Sequence, residues 1–153
     1  MASRAGLELV QKMIAQRMNS GNLDRLLFNK VTVTSAGNGS LTAEMTVGKE
    51  HANVGGTLHG AMATFLVDSI STLTLATCPG VNNTGVSLNI NMTFVRGAAV
   101  GQEIEIRSRA DKAGGKLAFL SVDIVDKITG ELLAKGSHTK YTAINKSETE
   151  IPR

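Results

Sequence analysis

Asp68 is the single carboxylate in a run, residues 58–77, that holds no lysine or arginine. A carboxylate among apolar side chains is costly unless it is paired, hydrogen-bonded or protonated. On a helix its neighbours three and four positions away are Phe65, Ser71, Thr64 and Thr72, none of them cationic, so no local ion pair accounts for it. The residues alone leave two readings open. Asp68 is a structural carboxylate held by hydroxyls and distant backbone N–H groups, or it is a general base or nucleophile tuned by a partly dry site. Gly60 is the second candidate. The first N–H groups of a helix lack intrahelical acceptors and favour negative charge. A glycine there leaves room for a carbonyl oxygen that becomes an oxyanion. Asn53, in the preceding loop, can add a second polar contact. The alternative is that the glycines only make a tight loop-to-helix junction.

Gly60 and Asp68 are eight residues apart, which on one helix is about 12 Å of rise. One reacting carbonyl cannot touch both. If both act on it, they belong to different subunits, and a dimer holds two such sites by symmetry.

These residues need a scaffold. From 58 to 77 the run is apolar on nearly every side, which predicts a helix buried all round. Thr57 is the expected N-cap, and Cys78-Pro79-Gly80 ends the run. Upstream, Leu7, Val10, Ile14 and Met18 predict an amphipathic helix over 4–18, closed by Asn19-Ser20-Gly21-Asn22. Val31 and Val33, then Leu41, Ala43, Met45 and Val47, alternate as two strands around the turn Ala36-Gly37-Asn38-Gly39. Downstream, Val86, Leu88, Ile90, Met92 and Phe94 form one face of a strand, and Ser87, Asn89, Asn91 and Thr93 the other. Strands follow over 101–110, 117–125 and 132–143, with turns at Ala113-Gly114-Gly115 and Ile128-Thr129-Gly130-Glu131. The expected class is α+β, an antiparallel sheet curved around one long central helix. The helix and linker occupy 1–25, the main domain 26–144, and a polar tail expected to be disordered 145–153.

A chain of 153 residues suits one domain with a sizeable core. The net charge of +3 fits an anionic small ligand as well as nucleic acid, but 3% aromatic residues and no Trp argue against base-stacking platforms. One cysteine, Cys78, rules out an internal disulfide and reads as a buried small residue. Three histidines and one cysteine are too few for a zinc site. The apolar run is broken by Thr, Ser and Asp and is a poor membrane span. No signal-peptide pattern stands at the start.

The segment His51-Ala52-Asn53-Val54-Gly55-Gly56-Thr57-Leu58-His59-Gly60, then Leu66-Val67-Asp68 and Gly85-Val86-Ser87-Leu88-Asn89-Ile90-Asn91, resembles the hotdog-fold acyl-CoA thioesterases of the PaaI-like type. The resemblance runs from about 26 to 141. It implies a hotdog fold, edge-to-edge homodimers with shared active sites, and a homotetramer. It implies hydrolysis of medium- to long-chain fatty acyl-CoA, with CoA as part of substrate and product and no metal or other cofactor. By position, Gly60 would be the oxyanion donor, Asn53 would orient the thioester or the water, and Asp68 from the other subunit would be base or nucleophile. Ser87 would hold the water or the carboxylate. The CoA path would be lined by Ser87, Asn89, Phe94, Val95, Arg96, Gly97, Ala98, Ala99, Lys112, Ala113, Gly114, Gly115, Lys116, Leu117 and Tyr141. Lys140 would join Arg96, Lys112 and Lys116 as phosphate-facing cations, and His138 would lie near the nucleotide. Met62, Phe65, Leu66 and Leu88 would form the acyl slot, with His51 and His59 structural. Ala61 stands where many of these enzymes have glycine but keeps its N–H. The expected location is cytoplasmic or mitochondrial. Other expectations from the same fold are an aromatic acyl-CoA hydrolase, or a non-catalytic acyl-CoA-binding or lipid-sensing module.

Overall fold

The structure is a computed structural model that describes residues 3–19 and 23–143. The expected stop signal at 20–22 and the expected tail from 145 lie outside the described residues. Helix α1 (Arg4–Asn19) matches the amphipathic pattern and buries Val10 completely. It lies so close to the first strand, β1 (Thr32–Gly37), that a Cβ on Gly6 would sit 2.6 Å from the carbonyl oxygen of Ala36. A six-residue helix, α2 (Leu23–Phe28), was not expected, because its length is too short to reveal a period.

β1 and β2 (Ser40–Thr46) form the expected hairpin. Asn38 and Gly39 both take positive φ, 49° and 75°, as a tight two-residue hairpin turn requires. A 3-10 turn at Lys49–His51 leads to the long helix α3 (Gly60–Ala76). Four strands follow: β3 (Val86–Phe94), β4 (Glu103–Lys112), β5 (Leu117–Asp126) and β6 (Leu132–Tyr141). They join β1 and β2 in one antiparallel sheet of order β1-β2-β4-β5-β6-β3, so β3 crosses to the far edge before the chain returns to β4. α3 packs across β2 to β6. Leu66, Val67, Ile70 and Leu73 meet Ile104, Ile106, Val122 and Ile124 in one core. Burying each such side chain stabilises the fold by about 1.5–3 kcal/mol.

Two expectations for α3 need correction. It is buried all round only in its C-terminal half, from Ser69 to Leu75. In its first half Ala61, Thr64, Phe65 and Asp68 remain at least partly exposed, spaced three and four apart, and so form an open stripe. The N-cap is His59, not Thr57. The Leu58 N–H donates to the Ala98 carbonyl at 2.7 Å, and Thr57 bridges to Ala99, so both residues are held extended. The helix can begin only after them, and Nδ1 of His59 accepts from the Ala61 N–H at 3.0 Å.

β6 meets α3 at Gly136. A Cβ there would lie 2.6 and 2.7 Å from the two methyls of Val67. We expect Gly136→Ala to lower stability by about 1–3 kcal/mol through this overpacking, read as a lower urea midpoint. An unchanged midpoint would show that α3 can move away from β6 at no cost.

Candidate active site

The candidate residues fall into two groups at different places on α3. The first group surrounds its N-terminus. The Asn53 side chain pins the loop before the helix: its Oδ1 accepts from the N–H of Gly55 at 2.9 Å and of Thr57 at 3.2 Å. Two backbone donors facing one atom fix that atom as the oxygen. Its Nδ2 donates to Thr57 Oγ1 at 3.0 Å, which leaves the second Nδ2 hydrogen unspent. At the helix start the Ala61 N–H is taken by His59, whereas the N–H of Gly60 has no acceptor among the described residues. It borders a cavity of about 300 Å³ lined by Asn53, Leu58, Gly60, Ala63 and residues 94–98, with Ile124, Leu133 and Ala134 at its back. Phe94 faces Gly60 at ordinary contact distance. Of the residues expected to form an acyl slot, Met62 and Leu66 are instead packed in the core, while Leu88 is exposed on the edge strand. The cavity takes its apolar wall from different residues because α3 turns Ala63, not Met62, towards it.

The second group gathers around Asp68, whose side chain is 43% exposed. Ser87 reaches it through a β-bulge. The β3–β6 register shifts between Ser87 and Asn89, so Ser87 lies opposite Lys140 and Ile90 opposite His138. Lys140 and His138 are both buried on the inward face of β6. Ser87 therefore shares the inward face with Ile90, whereas strict alternation had put it on the opposite one. One extra residue re-aims the hydroxyl.

Hydrogen-bond direction then orders the cluster. A carboxylate only accepts, so Ser87 Oγ donates to Asp68 Oδ1 at 3.3 Å. The Ser87 oxygen must accept from His138, whose Nε2 lies 2.9 Å away. Nδ1 is left to accept from Ser71 Oγ at 2.7 Å. The imidazole is neutral in this arrangement. Burial, and next the Lys140 cation, push its pKa down to about 4 against the opposing pull of Asp68.

Two expectations fall here. His138 does not face a ligand path but lies 1% exposed behind Ser87. Lys140 is not a surface cation: it is 3% exposed, and its Nζ donates to Thr72 Oγ1 at 3.1 Å. Both were readable in principle, since alternation through Ala134, Gly136, His138 and Lys140 puts all four on one face. His51 is buried, and its Nδ1 accepts from the Gly48 N–H at 3.1 Å.

The remaining candidates lie apart. Arg96 pairs with Glu131 at 2.5 Å. Asn89 stands on the outward face of β3, paired with Thr139. Lys112 and Lys116 are exposed on the β4–β5 hairpin, where Gly114 and Gly115 border a hollow closed by residues 80–83 and 142–143. Tyr141 pairs with Leu117 and Val86 at that end of the sheet. Ala134, at the cavity end, is seven residues from Tyr141, about 24 Å along β6. No cluster of three or more metal-ligating side chains occurs among the described residues.

The profile of the thioesterase superfamily matches residues 55–133. The chain belongs to that superfamily. It is 41% identical over 132 residues to human acyl-coenzyme A thioesterase 13, covering 86% of this chain and 93% of the relative. It is 47% identical over 118 residues to the mouse protein of the same name, covering 77% and 83%. The crystal structure of zebrafish thioesterase superfamily member 2 superposes with a TM-score of 0.84 at 39% identity, covering 89% of this chain and 97% of that one. The sheet and its long helix are thus the hotdog fold of a thioesterase.

The neutral His138 has a measurable consequence for this thioesterase fold. Unfolded, the ring takes its proton near pH 6.5, and folded near 4. Between these values the unfolded chain binds more protons, so stability falls as pH drops from 6.5 to 4, by about 3 kcal/mol in all. Urea midpoints of wild type and His138→Gln should therefore converge on acidification across this window. Parallel curves would show that His138 is charged in the folded state.

Proposed function

We propose that this chain hydrolyses medium- to long-chain fatty acyl-CoA to free acid and CoA, as a homodimer with two shared sites, within a homotetramer. The observation that carries the reading is the split of the candidate residues. An unspent N–H at Gly60 and a hydroxyl-held carboxylate at Asp68 lie about 12 Å apart on one helix. Each is half of a hydrolytic site, and a second chain can bring the halves together. The edge strand β3 supports such pairing, because Val86, Leu88 and Phe94 are exposed on it. The names of the similar proteins support the substrate class.

On this reading the thioester oxygen accepts from the Gly60 N–H, and Asn53 lends its second Nδ2 hydrogen to the thioester or the water. Asp68 of the partner subunit, with Oδ1 held by Ser87, uses Oδ2 to draw a proton from water or to attack the carbon itself. The tetrahedral oxyanion is stabilised at the helix N-terminus. On the water route its collapse breaks the carbon–sulfur bond and leaves the free acid, and the CoA thiolate takes up the proton held by Asp68. On the attack route collapse expels the thiolate and leaves a mixed anhydride with Asp68, which water hydrolyses to the free acid, the proton released there going to the thiolate. The cavity behind Gly60 takes the start of the acyl chain. Lys112 and Lys116 on the hairpin, with Arg96 at the cavity mouth, face the phosphates. The reaction needs only water, and the enzyme works in the cytoplasm or mitochondrion.

Thiol release should be seen with wild type on acyl-CoAs of increasing chain length and fall about 10²–10⁴-fold in Asp68→Asn. Binding of acyl-CoA without release by wild type would make the protein a binding module. Mixing inactive Asn53→Ala and Asp68→Asn chains tests the shared site. Random pairing makes half the dimers mixed, each with one of its two sites intact, so about a quarter of wild-type activity should return. No recovery from dimers shown to have exchanged would place each site within one chain.

A further inference from the structure

Lys140 is a buried ammonium with no carboxylate within ion-pair distance among the described residues. Such burial disfavours the charged form, and it holds the proton affinity of Lys140 below the ordinary lysine value. Its one hydrogen-bond partner among the described residues is Thr72. The Thr72 hydroxyl passes its own proton to the backbone carbonyl of Asp68, one turn earlier, at 2.8 Å. Lys140 is also two residues beyond His138 on the same inward face of β6, and His138 Nε2 is 3.8 Å from Asp68 Oδ1. One route of hydrogen bonds thus leads from Lys140 to the backbone of Asp68, His138 stands on the same face between the two, and the negative charge that Lys140 feels is that of Asp68.

The other groups around Asp68 cannot supply a positive charge. Ser71 and Thr72 on α3 and Ser87 on β3 are uncharged, and His138 is neutral above about pH 4. Arg17 of α1 lies on the Lys140 side, where it opposes the lysine charge, and pairs with Asp24 of α2 at 3.6 Å. We propose that Lys140 is a positioning residue: through Thr72 and across His138 it supplies the positive potential that keeps the Asp68 carboxylate charged and directed at the open stripe of α3. This role rests on the hydrolytic reading of Asp68 and adds a residue to it. A cation one layer behind the carboxylate stabilises its charge without occupying either oxygen. A direct ion pair would do the first and prevent the second.

The test is kcat/KM against pH for wild type, Lys140→Gln and Lys140→Arg, with melting curves and dimer mass as controls. In Lys140→Gln the midpoint of the acid limb should rise by about one pH unit, which is about tenfold less activity below it. Lys140→Arg keeps the charge and should keep the wild-type limb. A lower plateau with an unmoved limb in Lys140→Gln would reduce Lys140 to packing and overturn the proposal. A limb that moves equally in Lys140→Arg would do the same. A carboxyl ¹³C titration of Asp68, assigned by the signal lost in Asp68→Asn, needs no turnover. Its midpoint should be higher in Lys140→Gln than in wild type and unchanged in Lys140→Arg. Equal midpoints would overturn the proposal, and Lys140→Met, which fills the same space without the charge, gives the same comparison if Lys140→Gln does not fold. Failure of wild type to release thiol would instead overturn the hydrolase reading and leave this titration to decide the role of Lys140.

Discussion

One helix carries both halves of the candidate site, and its rigid rise fixes how they can be used. From Gly60 to Asp68 the backbone of α3 is continuous, and its hydrogen bonds allow no shortening of that span. Everything around α3 serves two opposed needs. Its C-terminal half must be buried to hold it in the sheet, and a stripe of its N-terminal half must stay open. The change occurs at Asp68, the last partly exposed residue before the buried run from Ser69 to Leu75. The carboxylate thus sits where the dielectric changes, with polar partners behind it and open space before it.

That boundary depends on how closely β6 approaches. Gly136 lets the strand press against Val67, and the next inward residues, His138 and Lys140, are then brought up to Ser71 and Thr72, one turn beyond Asp68. Strand and helix exchange hydrogen bonds there between side chains only. Each such bond contributes about 1 kcal/mol net, but leaving one buried partner unmatched costs about 1–3 kcal/mol. The cluster is therefore strict about membership, and a change at one residue strands its neighbour.

Much of this was readable in the sequence, and the exceptions share a cause. The strands, the Asn38-Gly39 hairpin, the two long helices and the odd position of Asp68 follow from local periodicity and turn chemistry. Thr57 looked like a helix cap because capping chemistry is local. It failed because Ala98 and Ala99, some forty residues away, hold Thr57 and Leu58 extended. Strict alternation puts Ser87 on the wrong face because a bulge leaves no mark in a period-two pattern; it is visible only in the pairing with β6. Lys140 reads as a surface charge in the sequence because lysine almost never goes inside unpaired. Each error concerns a position whose environment is set by a distant segment, and two of the three lie beside the candidate carboxylate.

The order of charges in that cluster follows from proton counting together with burial. Asp68 can only accept, so the Ser87 proton must point to it, and His138 must then donate from Nε2. A neutral ring has one proton to give, so Nδ1 accepts from Ser71. Were His138 protonated, Nδ1 would also donate. The Ser71 hydroxyl would then have to turn its proton to the backbone carbonyl of Asp68, 3.2 Å away, and a second positive charge would stand beside Lys140. Burial and Lys140 both oppose that state, and Asp68 alone favours it. Burial and the Lys140 cation therefore select the arrangement with no charge at His138, in which the Ser71 and Ser87 hydroxyls each have an acceptor. In it the Ser87 proton holds Oδ1, and the bonds of this cluster leave Oδ2 unspent on the open side of the helix.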